Sequence, residues 1–246
     1  MTVFAVGALV LAAAYAVAAW RAMAGPRGWS RPRLASWLTG CALIAVAASP
    51  IPHVLAPGAA GHMVQHLLLG MFAPLALAMG APVTLLLRVA SVRTRRRVAR
   101  VLSVRYLRVA GHPAGAAVLS VGGLFAVMLT PLYAAVHANT LAHHALHLHY
   151  LAAGYLFAWA VAGPDPAPRR PGMAARVAAL VLAGAAHAWL AKHLYAQAPP
   201  YADALRQAAQ IMYYGGDVAE ILLATALFAT WYRRRARRAI PVISKS

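Results

Sequence analysis

The 246-residue sequence has few charged residues and almost no acids. Charged side chains make up 11% of the chain, and only four residues are Asp or Glu against 23 Lys and Arg. A soluble domain carries about 25% charged residues, so the composition excludes an ordinary water-soluble protein. Because 62% of the residues are hydrophobic and no sizeable polar stretch is left over, we expect one integral-membrane domain over residues 1–246.

Two other absences restrict the chemistry. A single cysteine, Cys41, excludes an internal disulfide. No GxGxxG or phosphate-loop motif opens a helix, so nucleotide chemistry has no support.

Apolar stretches of membrane-spanning length recur along the chain, since about 20 residues cross a hydrocarbon core. Pro74 and Pro82 fall inside one of them, where we expect a kink. We predict an all-α bundle of seven transmembrane helices near residues 3–20, 34–52, 62–87, 113–136, 143–163, 175–196 and 208–232.

The basic residues lie in alternate loops of this arrangement. All but Lys192 and Arg206, 21 of 23, fall on one side. The positive-inside rule makes that side cytoplasmic, with the N-terminus out and the C-terminus in, in a bacterial inner membrane. We expect these loops to contact anionic lipids rather than nucleic acid. Residues 88–108 suit either an amphipathic helix on the inner leaflet or an ordered basic loop.

The histidines gather at the opposite end. In the predicted topology only His112 of the eleven lies on the inner side. His62 with His66, and His143 with His147, are i,i+4 pairs that share a helix face, and His144 with His147 is an i,i+3 alternative. The outer residues are His53, His62, His66, His137, His143, His144, His147, His149, His187 and His193.

Two of the four acids, Asp217 and Glu220, lie inside the last predicted span. An ionisable group there costs about 2.5–3.5 kcal/mol on insertion scales, so it normally has a partner or a function. At about 1.5 Å per residue, His66 and His147 come out roughly 7–9 Å below the outer surface, and His187 and Asp217 roughly 14–15 Å.

These groups predict a metal site, and imidazole-rich sites suit copper, zinc, iron or nickel, with affinity favouring copper. Two alternatives to a metal site stay open. The histidines can be interfacial polar residues. Asp217 and Glu220 can serve helix packing or pair with Lys192. The candidate ligands are His62, His66, His143, His144, His147, His187, Asp217 and Glu220.

Three stretches resemble the CtaG-type membrane family of cytochrome c oxidase assembly factors. The similarity runs from about residue 35 to the C-terminus. The stretches are HMVQHLL (62–68) followed by Ala73-Pro74 and Gly80-Ala81-Pro82, HHALHLHYLAAGYLFAW (143–159) followed by Gly163-Pro164-Asp165-Pro166, and MYYGGDVAE (212–220).

The resemblance implies a role in maturing a haem-copper oxidase, with the oxidase subunits as partners and copper handled on the outer side of the membrane. It points to the same ligand set, with His143 and His144 as alternatives. The chain lacks the CxxC motif or Met-rich tail that would indicate copper transfer directly.

Two hypotheses from other classes remain beside a non-enzymatic assembly factor. One is a seven-helix membrane metallohydrolase in which zinc activates water for attack on a lipid, with Glu220 or Asp217 as general base. The other is a haem protein with two axial histidines.

Overall fold

The computed structural model describes residues 2–167 and 170–239, and within these ranges the chain is helical with no strand. Two π-helical segments, Leu68–Phe72 and Val118–Gly122, join α4 to α5 and α9 to α10. The helices are α1 (Thr2–Met23), α2 (Arg31–Ala47), α3 (Ile51–Leu55), α4 (Ala59–Leu67), α5 (Ala73–Met79), α6 (Pro82–Val89), α7 (Val92–Leu102), α8 (Arg105–Ala110), α9 (Pro113–Ala117), α10 (Gly123–Met128), α11 (Leu132–His137), α12 (Thr140–Val161), α13 (Met173–Gln197) and α14 (Asp203–Ala239).

Four helical stretches in the described part of the chain are long and apolar enough to cross a membrane. They are Val3–Met23, Ala59–Val89, Met173–Gln197 and Asp203–Arg233. The other three predicted spans fall short for different reasons. Helix α2 has 17 residues, Pro113–Met128 is also short, and α12 has 22 residues but carries four histidines. The membrane-protein class is therefore supported, while the count of seven spans stays a prediction.

The stretch from α4 to α5 lies in the middle of the bundle. Helix α4 packs against α14, and α5 packs against both α2 and α12. Helix α1 packs on α2, and α13 packs on α14. The first histidine pair therefore lies on a stretch that has helices packed on several sides.

The central stretch is irregular at both of its prolines. Just before Pro74, the chain forms a π-helical turn in which the N–H of Ala73 donates to the carbonyl of Leu68. Pro74 has no N–H to donate to the carbonyl of Gly70, four residues earlier. Before Pro82 the helix ends, and Ala81 takes a left-handed φ of 55°. The expected irregularity is present at each proline.

One end of the bundle is fixed by polar contacts between distant segments. The carboxylate of Asp165, 1% exposed, accepts hydrogen bonds from the backbone N–H of Val83 at 3.0 Å and of Thr84 at 2.7 Å. The hydroxyl of Tyr15 donates to the carbonyl of Gly80 at 2.5 Å. These contacts fix the start of α6 against α1 and the turn after α12.

The basic segments meet at this same end. Residues from the α1–α2 turn, α6, the turn after α12 and the end of α14 line one cavity there. Of the two alternatives for residues 88–108, a helix or a basic loop, the structure shows helix α7 within this range. None of the residues of α7 is buried. Arg169 and the tail beyond Ala239, including Lys245, lie outside the described residues. Which side of a membrane this end faces remains a prediction.

Candidate metal site

Four histidines from three helices lie close together at the end of the bundle opposite the basic segments. The ring centroids of His53 and His62 are 4.7 Å apart, and those of His62 and His143 are 6.3 Å apart. His143 and His147 follow at 4.3 Å. With Met63, Tyr133 and other apolar groups, His62, His66, His143 and His147 line an outer cavity of about 30 Å³. The structure thus brings the two i,i+4 pairs together in one cavity.

A second cavity of about 50 Å³ lies on the other side of His66. Its polar lining is formed by His66, Ser120, Tyr150, His187 and Glu220. The ring centroids of His66 and His187 are 6.4 Å apart and the rings are nearly parallel, at 18°. His187 Nδ1 lies 4.0 Å from Glu220 Oε1. His66 and Tyr150 border both cavities, so α4 and α12 form a common wall between them.

Several polar atoms of the inner cavity are buried without a hydrogen-bond partner among the described residues. They are both ring nitrogens of His66, Nε2 of His187 and the hydroxyl of Tyr150. The three residues are 8%, 4% and 6% exposed. Leaving a buried polar group unsatisfied costs about 1–3 kcal/mol, so such a group calls for an explanation. A bound ion or water that these atoms coordinate would supply one.

Glycines give the inner cavity its close helix approaches. A methyl group at Gly184 would overlap the carboxylate of Glu220, and one at Gly216 would lie 2.6 Å from His187 Nδ1. Gly184 is on α13 and Gly216 on α14, so the absent side chains let the acid of one helix and the imidazole of the other reach across the interface. Neither glycine has a positive φ, so the reason for glycine is space rather than backbone conformation.

The structure distinguishes the two adjacent histidines on α12. His143 lines the outer cavity. The ring of His144 stacks on Phe4 of α1 at 5.9 Å, and its Nδ1 lies 2.8 Å from the carbonyl of Thr140. Of the two alternatives, the geometry favours His143 as the ligand.

The two acids of α14 also differ. Glu220 lines the inner cavity, whereas Asp217 is partly buried and is on the wall of neither cavity. Asp217 nevertheless lies within electrostatic range of His187 and Glu220. The proposed pairing of these acids with Lys192 does not occur among the described residues, where the Lys192 ammonium instead lies 5.0 Å above the ring of Tyr213.

The remaining outer histidines lie elsewhere. His193 stacks on Trp189 at 5.0 Å, and His149 Nε2 lies 3.2 Å from the carbonyl of Leu119 in the second π-helical segment. The side chain of His137 lies outside the described residues. The structure thus brings together His53, His62 and His143 of the predicted outer histidines and separates His193 from them.

No three His, Cys, Asp or Glu side chains converge as metal ligands within residues 2–167 and 170–239. The pairs are nevertheless compatible with shared ligation. A metal–nitrogen bond of about 2.0–2.1 Å limits two imidazoles on one ion to ring centroids about 6.5 Å apart. The separations along both cavities, from 4.3 to 6.4 Å, lie within that limit. The donor types fit a transition metal, and rotation of side chains would be needed to complete a site.

Sequence reasoning missed Tyr150 and the glycines. Tyr150 lies seven residues after His143 and three after His147, and Gly154 follows four residues later, so all four share one face of α12. This periodicity was the available signal. Met63 and Met212, 8% and 0% exposed, pack in an apolar cluster with Leu124 and Leu190, which supports core filling over ligation.

Comparison with known proteins gives relatives without a stated activity. The chain is 36% identical over 170 residues to uncharacterized proteins of Mycobacterium bovis and Mycobacterium tuberculosis, covering 66% of this chain and 26% of each relative. An uncharacterized protein of Mycobacterium leprae is 28% identical over 257 residues, covering 95% of this chain and 39% of the relative. The chain therefore spans between a quarter and two fifths of the length of these relatives. No solved structure matches.

The family comparison is more informative. The pattern of the cytochrome c oxidase caa3 assembly factor family matches residues 13–234, from within α1 to near the end of α14. The match includes both cavities and each candidate ligand. The chain belongs to the cytochrome c oxidase caa3 assembly factor family, Caa3_CtaG.

Proposed function

We propose that this protein binds copper at its histidine-lined cavities and holds it for the maturation of a haem-copper oxidase. The observation that carries the proposal is the position of His66, which borders both cavities and has two buried ring nitrogens without a hydrogen-bond partner among the described residues. Imidazole is a good ligand for copper, and copper binds such sites more tightly than the other divalent first-row metals.

The two cavities suit different parts of this task. In the outer cavity His62, His143 and His147 offer donors close to the end of the bundle, where an ion would arrive from the extracytoplasmic side. In the inner cavity His66 and His187 offer further imidazoles, and the Glu220 carboxylate lies close enough to offset positive charge. Counter-charge matters there because an ion inside a membrane bundle is poorly solvated.

The cavity volumes favour an ion over the two rival hypotheses. Pockets for organic ligands usually measure about 300–1,000 Å³. The inner cavity, at about 50 Å³, is far below that range, whereas a single water needs only about 10–15 Å³ on the same measure. A metal ion with a water fits, while a haem or the acyl amide of a lipid would require the helices to separate.

Membership of the family supports association with oxidase components. We propose haem-copper oxidase subunits as the recipients of the ion. Zinc remains the alternative cargo, since the same histidines also suit that metal.

Metal binding can be tested on purified protein by elemental analysis after loading with copper or zinc and removing excess metal. We expect His66→Ala to lose bound copper, and the double variant His66→Ala with His147→Ala to lose it completely. His193→Ala is the control because it removes an outer histidine that stacks on Trp189 away from both cavities.

Folding and metal loss can be separated in the same experiment. Removing the His66 ring also removes two unsatisfied buried nitrogens, so the metal-free variant should unfold at about the temperature of the metal-free parent. Stoichiometric copper in the double variant, or equal copper loss in His193→Ala, would contradict the proposal. Complementation of an oxidase-maturation defect by each variant would test the link to the oxidase.

A further inference from the structure

The basic end of the bundle holds a large cavity that the copper proposal does not use. It measures about 840 Å³ and opens between the α1–α2 turn, α2, α6, the turn after α12 and the end of α14. Four arginines line it, together with the hydroxyls of Ser30, Ser36 and Thr230. The arginines are Arg27, Arg33, Arg88 and Arg233.

These arginines have no carboxylate partner in the described part of the chain. The single ion pair described there joins His187 to Glu220 in the other half of the bundle. The nearest acid along the wall is Asp165, next to the lining residue Pro164, and its carboxylate is already bound by Val83 and Thr84. Four like charges around one cavity repel each other, and an anion between them would relieve that repulsion.

Two of the arginines are held in place by the protein. The guanidinium carbons of Arg33 and Arg88 each lie 5.2 Å from the centroid of the Trp29 ring, so they are separated by no more than twice that distance. Arg88 also donates to the carbonyl of Gly28 at 2.6 Å. Gly28 has a φ of 55°, a left-handed conformation that favours glycine and directs this turn.

Trp29 is in turn fixed from behind. Its indole N–H donates to the hydroxyl of Tyr15 at 3.2 Å, and the Tyr15 ring stacks on Trp37 at 4.7 Å. Trp29 is 8% exposed although it lies in a turn between helices. The two guanidinium groups are therefore positioned before any ligand arrives, which lowers the ordering cost of binding.

We infer that this cavity binds the phosphate of an anionic phospholipid headgroup. Guanidinium groups bind phosphate oxygens in pairs of parallel hydrogen bonds, and every basic residue that lines the cavity is an arginine. The lipid is favoured over a free anion because the last turn of α1, just before the cavity, exposes Trp20 by 72% and Met23 by 37%. Such a surface suits the boundary between headgroups and acyl chains.

The test compares ligands on delipidated protein in detergent by native mass spectrometry and by thermal shift. The probes are short-chain phosphatidylglycerol, short-chain phosphatidylcholine and inorganic phosphate. We expect phosphatidylglycerol to bind and to raise the unfolding temperature, with phosphatidylcholine much weaker. Phosphate binding as strong as that of phosphatidylglycerol would show a free-anion site and would overturn the assignment to lipid.

Matched variants distinguish binding in this cavity from the effect of the protein's overall positive charge. Arg33→Gln with Arg88→Gln should weaken phosphatidylglycerol binding by about tenfold or more, because two charge-assisted contacts are lost. Arg97→Gln with Arg100→Gln removes the same charge from α7, outside the cavity, and should leave the affinity nearly unchanged. Equal losses in both double variants would refute the site. If the Arg33 and Arg88 double variant does not fold, Arg88→Lys alone must still weaken binding.

Discussion

Helix α12 approaches the central stretch closely at Gly154, and a single methyl group there provides a sharp test of the fold. A methyl group added at Gly154 would overlap the carbonyl oxygen of Gly70, and it would lie 2.9 Å from the carbonyl carbon and 3.0 Å from Pro74 Cγ. These neighbours are a backbone group and a proline ring, and neither can rotate away. Helix α12 would have to move from the π-helical segment.

The magnitude follows from two opposing terms. Overpacking a tight interface costs typically about 1–3 kcal/mol and sometimes more, and rigid neighbours place this site at the upper end. Alanine in place of glycine inside a helix stabilises the helix by about 1 kcal/mol. We therefore expect Gly154→Ala to lower the free energy of unfolding by about 2 kcal/mol. For a chain of this length that corresponds to roughly 4–8 °C in unfolding temperature.

Thermal unfolding of the detergent-solubilised protein measures the effect. Gly7→Ala is the matched control, because Gly7 also lies in a helix but a methyl group there meets no atom within 4 Å. The control should unfold at or slightly above the parent temperature. A Gly154→Ala variant with the parent's unfolding temperature would refute the close approach of α12 to Gly70, and with it the common wall of the two cavities.

Three further outcomes are expected. Labelling in intact cells should place the N-terminus outside and α7 inside, because 21 of 23 basic residues fall on one side of the predicted topology; labelling of both from one side would refute it. Asp165→Ala should lower the free energy of unfolding by about 1–3 kcal/mol because two backbone N–H groups lose their acceptor, whereas Asp203→Ala at the exposed start of α14 should change it by about 0.3–1 kcal/mol or less. Similar shifts in the two variants would contradict the role of Asp165 in holding the start of α6. His143→Ala should weaken copper binding by about tenfold or more, whereas His144→Ala should leave it nearly unchanged, as measured by competition with a copper chelator. The reverse order would exclude the outer cavity as a copper site.

Much of the fold can be predicted from patterns along a single helix. Apolar length marks the helices, and the helical repeat puts His62 with His66 and His143 with His147 on shared faces. The structure brings both pairs into one cavity. Proline chemistry likewise predicts irregular backbone at Pro74 and Pro82, and both sites are irregular.

The remaining features depend on which helix lies beside which, and spacing along one helix does not contain that information. The preference for His143 over His144 as a candidate ligand rests on Phe4, which is distant in sequence and stacks on His144. Likewise Asp217 and Glu220 share a face of α14, but Gly184 on the neighbouring helix makes room for Glu220. The role of Tyr150 depends on contact with His66 across two helices.

The polarity of α12 has a consequence for how the protein enters the bilayer. The four histidines of this helix leave it outside the set of helices that are apolar enough to span a membrane by themselves. Contacts with neighbouring helices, including the approach of Gly154 to Gly70, then help to hold it in the bundle. A variant that loosens this interface is therefore expected to lower the amount of protein in the membrane, in addition to any effect on metal binding. The amount of protein in the membrane is the first quantity to measure for every substitution on α12.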